Sequence, residues 1–97
     1  MTHLNIRWLN KALINLNNEA QYIATDSPIA AKIMVQKIRA TVELLANNPS
    51  LGRPGRIVGT RELIIDNSPY IIPYRVNNRN VEILRVFHTS RKLPNRW

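Results

Sequence analysis

His88, Glu62, Glu82, Tyr70 and Tyr74 are side chains with the chemistry to move a proton, and Arg61, Arg75 and Arg91 lie among them as cations able to meet a phosphate. Such a set could serve metal-free RNA cleavage, which needs a base for the 2′-hydroxyl, an acid for the leaving oxygen and positive charge on the phosphate. His88 is the natural acid or base, because an unperturbed imidazole titrates near neutrality. The competing use of these residues is structural: a lone histidine often packs, and an arginine in a strand can pair across it with Glu62 or Glu82. Cysteine is absent, which removes disulfides and thiolate metal ligands, and two isolated histidines cannot build a structural zinc site. No stretch matches a phosphate loop, a dinucleotide fingerprint or a nucleophile elbow, so neither a metal nor a cofactor is expected.

These residues must be positioned by strands. Residues 60–65, 70–76 and 81–87 are short runs rich in Ile, Val, Tyr and Phe, separated by Asp66-Asn67-Ser68-Pro69 and Asn77-Asn78-Arg79-Asn80. Asn and Asp tolerate left-handed backbone and Pro fixes φ, so both breaks read as tight turns and the three strands as an antiparallel meander. Pro73 lacks a ladder donor, which predicts a bulge or a change of pairing partner at that point. Tyr70 and Tyr74 share one strand face, at the margin of the core.

Upstream, residues 3–8 alternate polar and apolar and predict a first strand. Leu9, Leu13, Leu16, Ala20 and Ile23 recur at helical spacing behind Asn10 as cap, giving a helix that ends near Ala24. Ser27 and Pro28 restart the chain as N-cap and first helical residue of a second helix to about Ala46, with Ala31, Met34, Ile38, Thr41 and Leu45 as its stripe. Ile29, Ile33 and Leu44 fall outside that stripe, and Ile33 and Leu44 are candidates for a partner's apolar surface. Residues 51–56 form a loop in which Pro and Gly present Arg53 and Arg56 outward. The fold class is α+β in the order β-α-α-β-β-β, with a helical hairpin on one face of a small, mainly antiparallel sheet and the other face free for function.

The 97 residues are the size of one domain with one modest core, and no apolar run approaches a membrane span. A cytoplasmic protein without membrane partners is expected. The formal net charge is +8, and nine of the fourteen Lys and Arg lie in residues 52–97 against three of the six acids. Eight of those nine are arginine, the residue suited to forked recognition of carboxylate or phosphate. The tail concentrates Arg91, Lys92 and Arg96 before Trp97, and its Pro94 discourages helix, so the segment should stay extended or loop back over the sheet with its cations available; the competing use of Trp97 is to pack onto the domain as a lid.

The element order, the Leu51-Gly52-Arg53-Pro54-Gly55-Arg56 loop, Gly59-Thr60-Arg61-Glu62-Leu63, residues 69–76 and residues 81–91 together resemble the RelE/ParE toxins of bacterial type II toxin–antitoxin modules. The resemblance covers nearly the whole chain and implies one RelE/ParE-like domain over residues 1–97, a small basic toxin neutralised by an acidic antitoxin. RelE-like members cleave messenger RNA on the ribosome, whereas ParE-like members act on DNA gyrase. The second-strand lysine positions of the nuclease branch fall on Glu62 and Ile64, and its third-strand arginine position falls on Ile71. Arg91 and, loosely, His88 agree with the nuclease's C-terminal part. The resemblance therefore implies the ParE-like branch, with Arg53, Arg56, Arg91, Lys92, Arg96 and Trp97 as the target-binding surface and no catalytic residue. The alternative is a ribosome-dependent endoribonuclease using His88, Arg61, Arg75 and Arg91.

Overall fold

The computed structural model describes residues 3–97 and contains β1 (Asn5–Trp8), α1 (Asn10–Ala24), α2 (Pro28–Glu43), a 3-10 turn (Leu44–Ala46), β2 (Arg53–Pro54), β3 (Arg61–Ile64), β4 (Tyr70–Asn77), β5 (Asn80–Ile83) and β6 (Phe87–His88). The sheet runs β1-β5-β4-β3-β2, with β6 paired to the start of β4. β1 lies parallel to β5, and every other pair is antiparallel. The helical hairpin returns the chain to the sheet at β2, which runs opposite to β1, and three antiparallel reversals through β3 and β4 then bring β5 back in the direction of β1. Asn67 and Asn78 adopt left-handed φ of 55° and 57° in the turns flanking β4, as their side chains allow.

Pro73 decides how the last strand is built. Tyr74 faces Ile83 while Ile71 faces Phe87, so Ile72 and Pro73 stand opposite three residues, Leu84, Arg85 and Val86. One extra residue is therefore bulged out where the ring of Pro73 offers no N–H, and the Pro73 carbonyl still accepts from Leu84 N–H at 2.9 Å. The expected single strand over residues 81–87 becomes β5 and β6 for this reason.

Both helices pack on the face of the sheet that carries Leu63, Ile65, Tyr70, Ile72, Tyr74, Val81 and Ile83. α2 buries Ala31, Ile38 and Val42 and is capped by Ser27, whose Oγ accepts from Ala30 N–H at 3.1 Å. α1 differs from expectation in two respects. Its N-cap residue is Leu9, not Asn10, and carries no side-chain cap, because Leu9 N–H still bonds to Ile83 at the end of the strand pairing. Its buried face is Ala12, Leu16 and Glu19, and Leu13 is 40% exposed. Ala12 is too small to weigh against Leu13 in an apolar pattern, yet a side chain that ends at Cβ is what a close helix contact accepts.

Tyr70 and Tyr74 are core residues, not marginal ones. The fully buried Tyr74 hydroxyl donates to Pro49 O at 2.7 Å and accepts from Gly52 N–H at 2.8 Å, pinning the loop before β2 to the sheet. A Cβ on Gly52 would lie 2.6 Å from the Tyr74 ring, which is why that loop has glycine there.

Candidate functional site

Two surfaces carry charge that the fold has arranged. The first is where α1 meets the C-terminal segment. Glu19 is buried on the sheet-facing stripe of α1, with Tyr70 donating to Oε1 at 3.0 Å and Arg91 Nη2 donating to Oε2 at 2.8 Å. Burial, then the Glu19 hydrogen bond, push the Tyr70 phenol up to about 12. His88, opposite Tyr70 in the β4–β6 pair, meets that ring edge-on with centroids 5.3 Å apart. His88 Nδ1 accepts from Ser90 N–H at 3.2 Å and lies 2.7 Å from Ser90 Oγ, which fixes the ring at the start of the tail.

The second surface is the sheet face turned away from the helices. Arg53 holds Glu62 Oε1 with Nε and Nη2 at 3.2 and 3.0 Å, and Arg56 N–H donates to Oε2 at 3.2 Å. One strand pairing further along, Arg75 Nε donates to Glu82 at 2.6 Å, and Arg7 stands opposite Glu82 on the other side. The Arg75 hydrogen bond holds the Glu82 carboxyl below its ordinary range, outweighing the upward push of burial, and the charges of Arg75 and Arg7 and a bond from Asn77 act with it. Both carboxylates are buried, while the side chains of Arg53 and Arg75 remain about half exposed.

The nuclease candidates are parted by this architecture. Arg61 is opposite Tyr74, whose ring is in the core, so it leaves the sheet at its helix-side edge and donates to Gly52 O at 2.7 Å. Arg75 points to the other face, and His88 and Arg91 sit together against α1. Alternating strand directions put these cations on different surfaces, which a one-dimensional cluster of arginines conceals.

Of the six expected target-binding residues, all but the half-buried Trp97 are exposed, and among the described residues Arg56, Lys92 and Arg96 have no side-chain ion pair. Arg53 is not simply presented outward, because Glu62 beneath it captures one edge of its guanidinium. Arg91 is likewise bound to Glu19, and Trp97 folds back to meet Phe87 edge-on at 5.3 Å, so the tail is docked instead of extended and free. Ile33 lines an apolar groove of about 480 Å³ with Ile23, Met34, Ile65 and Tyr70, whereas Leu44 lies outside it, about 16 Å along the helix by its rise. Glu19 escapes the sequence pattern; its signal is a carboxylate at i+7 from Ala12 and i+3 from Leu16 on one helical face. Among the described residues there is no group of three His, Asp or Glu that could hold a metal, and no helix long and apolar enough to cross a membrane.

A helical hairpin on a mixed sheet is an architecture also found in solved toxin–antitoxin proteins. A chain of the chromosomal ParDE system from P. aeruginosa superposes with a TM-score of 0.80 at 29% identity, covering 89% of this chain and 96% of that one. A chain of the RelBE2 toxin–antitoxin complex from Mycobacterium tuberculosis has the same fold, with a TM-score of 0.60 at 24% identity over 91% and 93% of the two chains. In sequence, the protein named toxin Y4kP of Sinorhizobium fredii is 47% identical over 94 residues, 97% of each chain, and toxin RelE2 of Caulobacter vibrioides is 34% identical over 84 residues, 87% of this chain and 93% of its own. The model of the ParE toxin of the parDE type II toxin–antitoxin system matches residues 6–93, and the chain belongs to that family.

Proposed function

We propose that this toxin inhibits growth by binding DNA gyrase without itself doing chemistry, and that an acidic cognate antitoxin neutralises it. The observation that carries the reading is the separation of the cations: Arg61 turns to a loop carbonyl at the helix-side edge, Arg75 lies on the opposite sheet face and Arg91 lies against α1, so no three of the nuclease candidates converge on one phosphate. A metal-free ribonuclease without such convergence forgoes its largest electrostatic contribution. The closer fold match to a ParDE chain than to a RelBE2 chain points the same way. The working unit is one RelE/ParE-like domain over residues 1–97, acting in the cytoplasm, where its target resides.

Arg56, Lys92 and Arg96 then supply exposed charge to the target, with Arg53 and Trp97 at its margins. The antitoxin covers the apolar groove at Ile33 and the aliphatic surface at Leu44, with hydrophobic burial giving affinity and the +8 net charge speeding encounter. Purified toxin should inhibit supercoiling by gyrase and leave messenger RNA intact on programmed ribosomes. Codon-position cleavage in the ribosome assay, with gyrase unaffected, would overturn this reading in favour of the endoribonuclease.

A further inference from the structure

The open sheet face has a peculiarity beyond being basic. Its two acids, Glu62 and Glu82, are sunk beneath arginines that each use one edge to hold a carboxylate and keep the remaining N–H groups toward solvent. Arg53 spends Nε and Nη2 on Glu62, and Arg75 spends Nε on Glu82. Such an anchored guanidinium has already lost most of its rotamer freedom, so a further hydrogen bond costs less entropy than one from a free surface arginine. Arg7 and Arg75 flank Glu82 on successive strands, which sets their Cα atoms about 10 Å apart at ordinary strand spacing.

The character of the face selects its ligand. Across the sheet from β1 to β2 its exposed side chains are Asn5, Arg7, Arg75, Asn77 and Arg53, with Ile64 the one exposed aliphatic, so it lacks the apolar centre of a protein–protein interface. A polar face on which guanidinium N–H groups are exposed and the paired carboxylates are buried is closer to the composition of a nucleic-acid interface. The rings of Trp8, Tyr70 and Tyr74 are all on the helix side, and Phe87, opposite Ile71, packs against Trp97 beyond the far end of the arginine row, so no ring stands among Arg7, Arg75 and Arg53 for an unpaired base to stack on.

We propose that this face docks the phosphate backbone of duplex DNA, with Arg75, Arg53 and Arg7 as contacts and Glu82 and Glu62 as the residues that position them. The site extends the gyrase reading, since gyrase works on a DNA segment that a bound toxin could also touch. The contact is independent of sequence, because phosphates carry no base identity.

The test is fluorescence anisotropy of purified toxin with a labelled mixed-sequence duplex, in the absence of gyrase. Three phosphate contacts predict an affinity loss of about 40-fold between roughly 50 and 200 mM salt. Glu82→Gln is the discriminating variant, because it raises the net charge by one. Attraction by charge alone makes it bind DNA more tightly, whereas loss of the positioning carboxylate makes it bind more weakly. Arg75→Lys, which keeps the charge and removes the fork, should weaken binding about fivefold and decides the matter if Glu82→Gln fails to fold. Lys32→Gln, on the far side of the molecule, should leave affinity within about twofold despite losing a charge. Tighter binding by Glu82→Gln, unchanged binding by Arg75→Lys, or preference for single-stranded RNA over the duplex would overturn the proposal. Supercoiling assays on the wild-type protein separate the two readings: no duplex binding with intact gyrase inhibition defeats only the DNA contact, and duplex binding with no gyrase inhibition defeats only the gyrase reading.

Discussion

Glu19 and Glu82 are both buried carboxylates paired with an arginine, yet they do opposite things. Glu19 joins helix α1 to Arg91, 72 residues away, and also takes the hydroxyl of buried Tyr70, so its pair ties distant segments into the fold. Glu82 meets Arg75 across one hairpin, 7 residues away, where the strands are already held by backbone ladders. The same chemistry is therefore a tether in one region and an aiming device in the other, and what separates them is which other interactions already hold the partners.

The sharpest way to break this contrast is Arg91→Ala. It leaves the Glu19 charge buried with Tyr70 alone, which should cost about 3 kcal/mol of unfolding free energy in urea titration. A change below about 1 kcal/mol would mean that Arg91 is no tether. Removal of residues 91–97 should lower the melting temperature at least as far, a larger effect than a freely extended tail implies.

Gly52→Ala comes next. Its new methyl meets the Tyr74 ring inside the core, and overpacking of this kind costs about 2 kcal/mol, read in the same titration. Tyr74→Phe alone should destabilise by about 1 to 2 kcal/mol in the same titration, because Pro49 O and Gly52 N–H lose their shared buried partner.

On the aiming side, Arg53→Ala should destabilise by about 1 kcal/mol only, since Glu62 keeps the Arg56 N–H. Arg75→Ala should do less still, because Glu82 keeps Arg7 and Asn77 beside it and the hairpin keeps its backbone ladder. If either variant matched Arg91→Ala, the two regions would be alike.

The smallest effects are in pH. The folded state raises the Tyr70 pKa from 10.0 to about 12, so its contribution is complete below pH 10 and lost as pH rises toward 12. Tyr70→Phe should abolish that alkaline step in a melting-temperature profile. The Glu82 carboxyl is depressed from 4.5, so its contribution is present above that value and fades as pH falls below it. In Glu82→Gln that part of the acid limb should disappear.

The order of elements, the Ser27 cap, the asparagine turns and the break at Pro73 were legible because each is a local property of a few residues. The pairing of β1 with β5 was not, since nothing local in residues 3–8 names a partner at residues 80–83. Site geometry was hidden for a related reason. Arg61 and Arg75 share a strand-rich stretch, but whether a strand residue faces one side or the other depends on a register set by the core. Glu19 was masked by Leu13, which strengthens an apolar stripe that the folded helix turns partly to solvent.

The parallel pairing of β1 and β5 bears on how the protein is made. Asn5 finds Asn80 as its ladder partner, so the first strand to leave the ribosome waits through most of synthesis before it can join a sheet. The Glu19–Arg91 link closes later still. A nascent chain halted before residue 80 would lack Val81, Ile83 and Val86 from its core and leave β1 without a partner strand, and so would be more open to proteases than the finished protein. Folding order thus gives the producing cell a delay between translating this chain and possessing its activity.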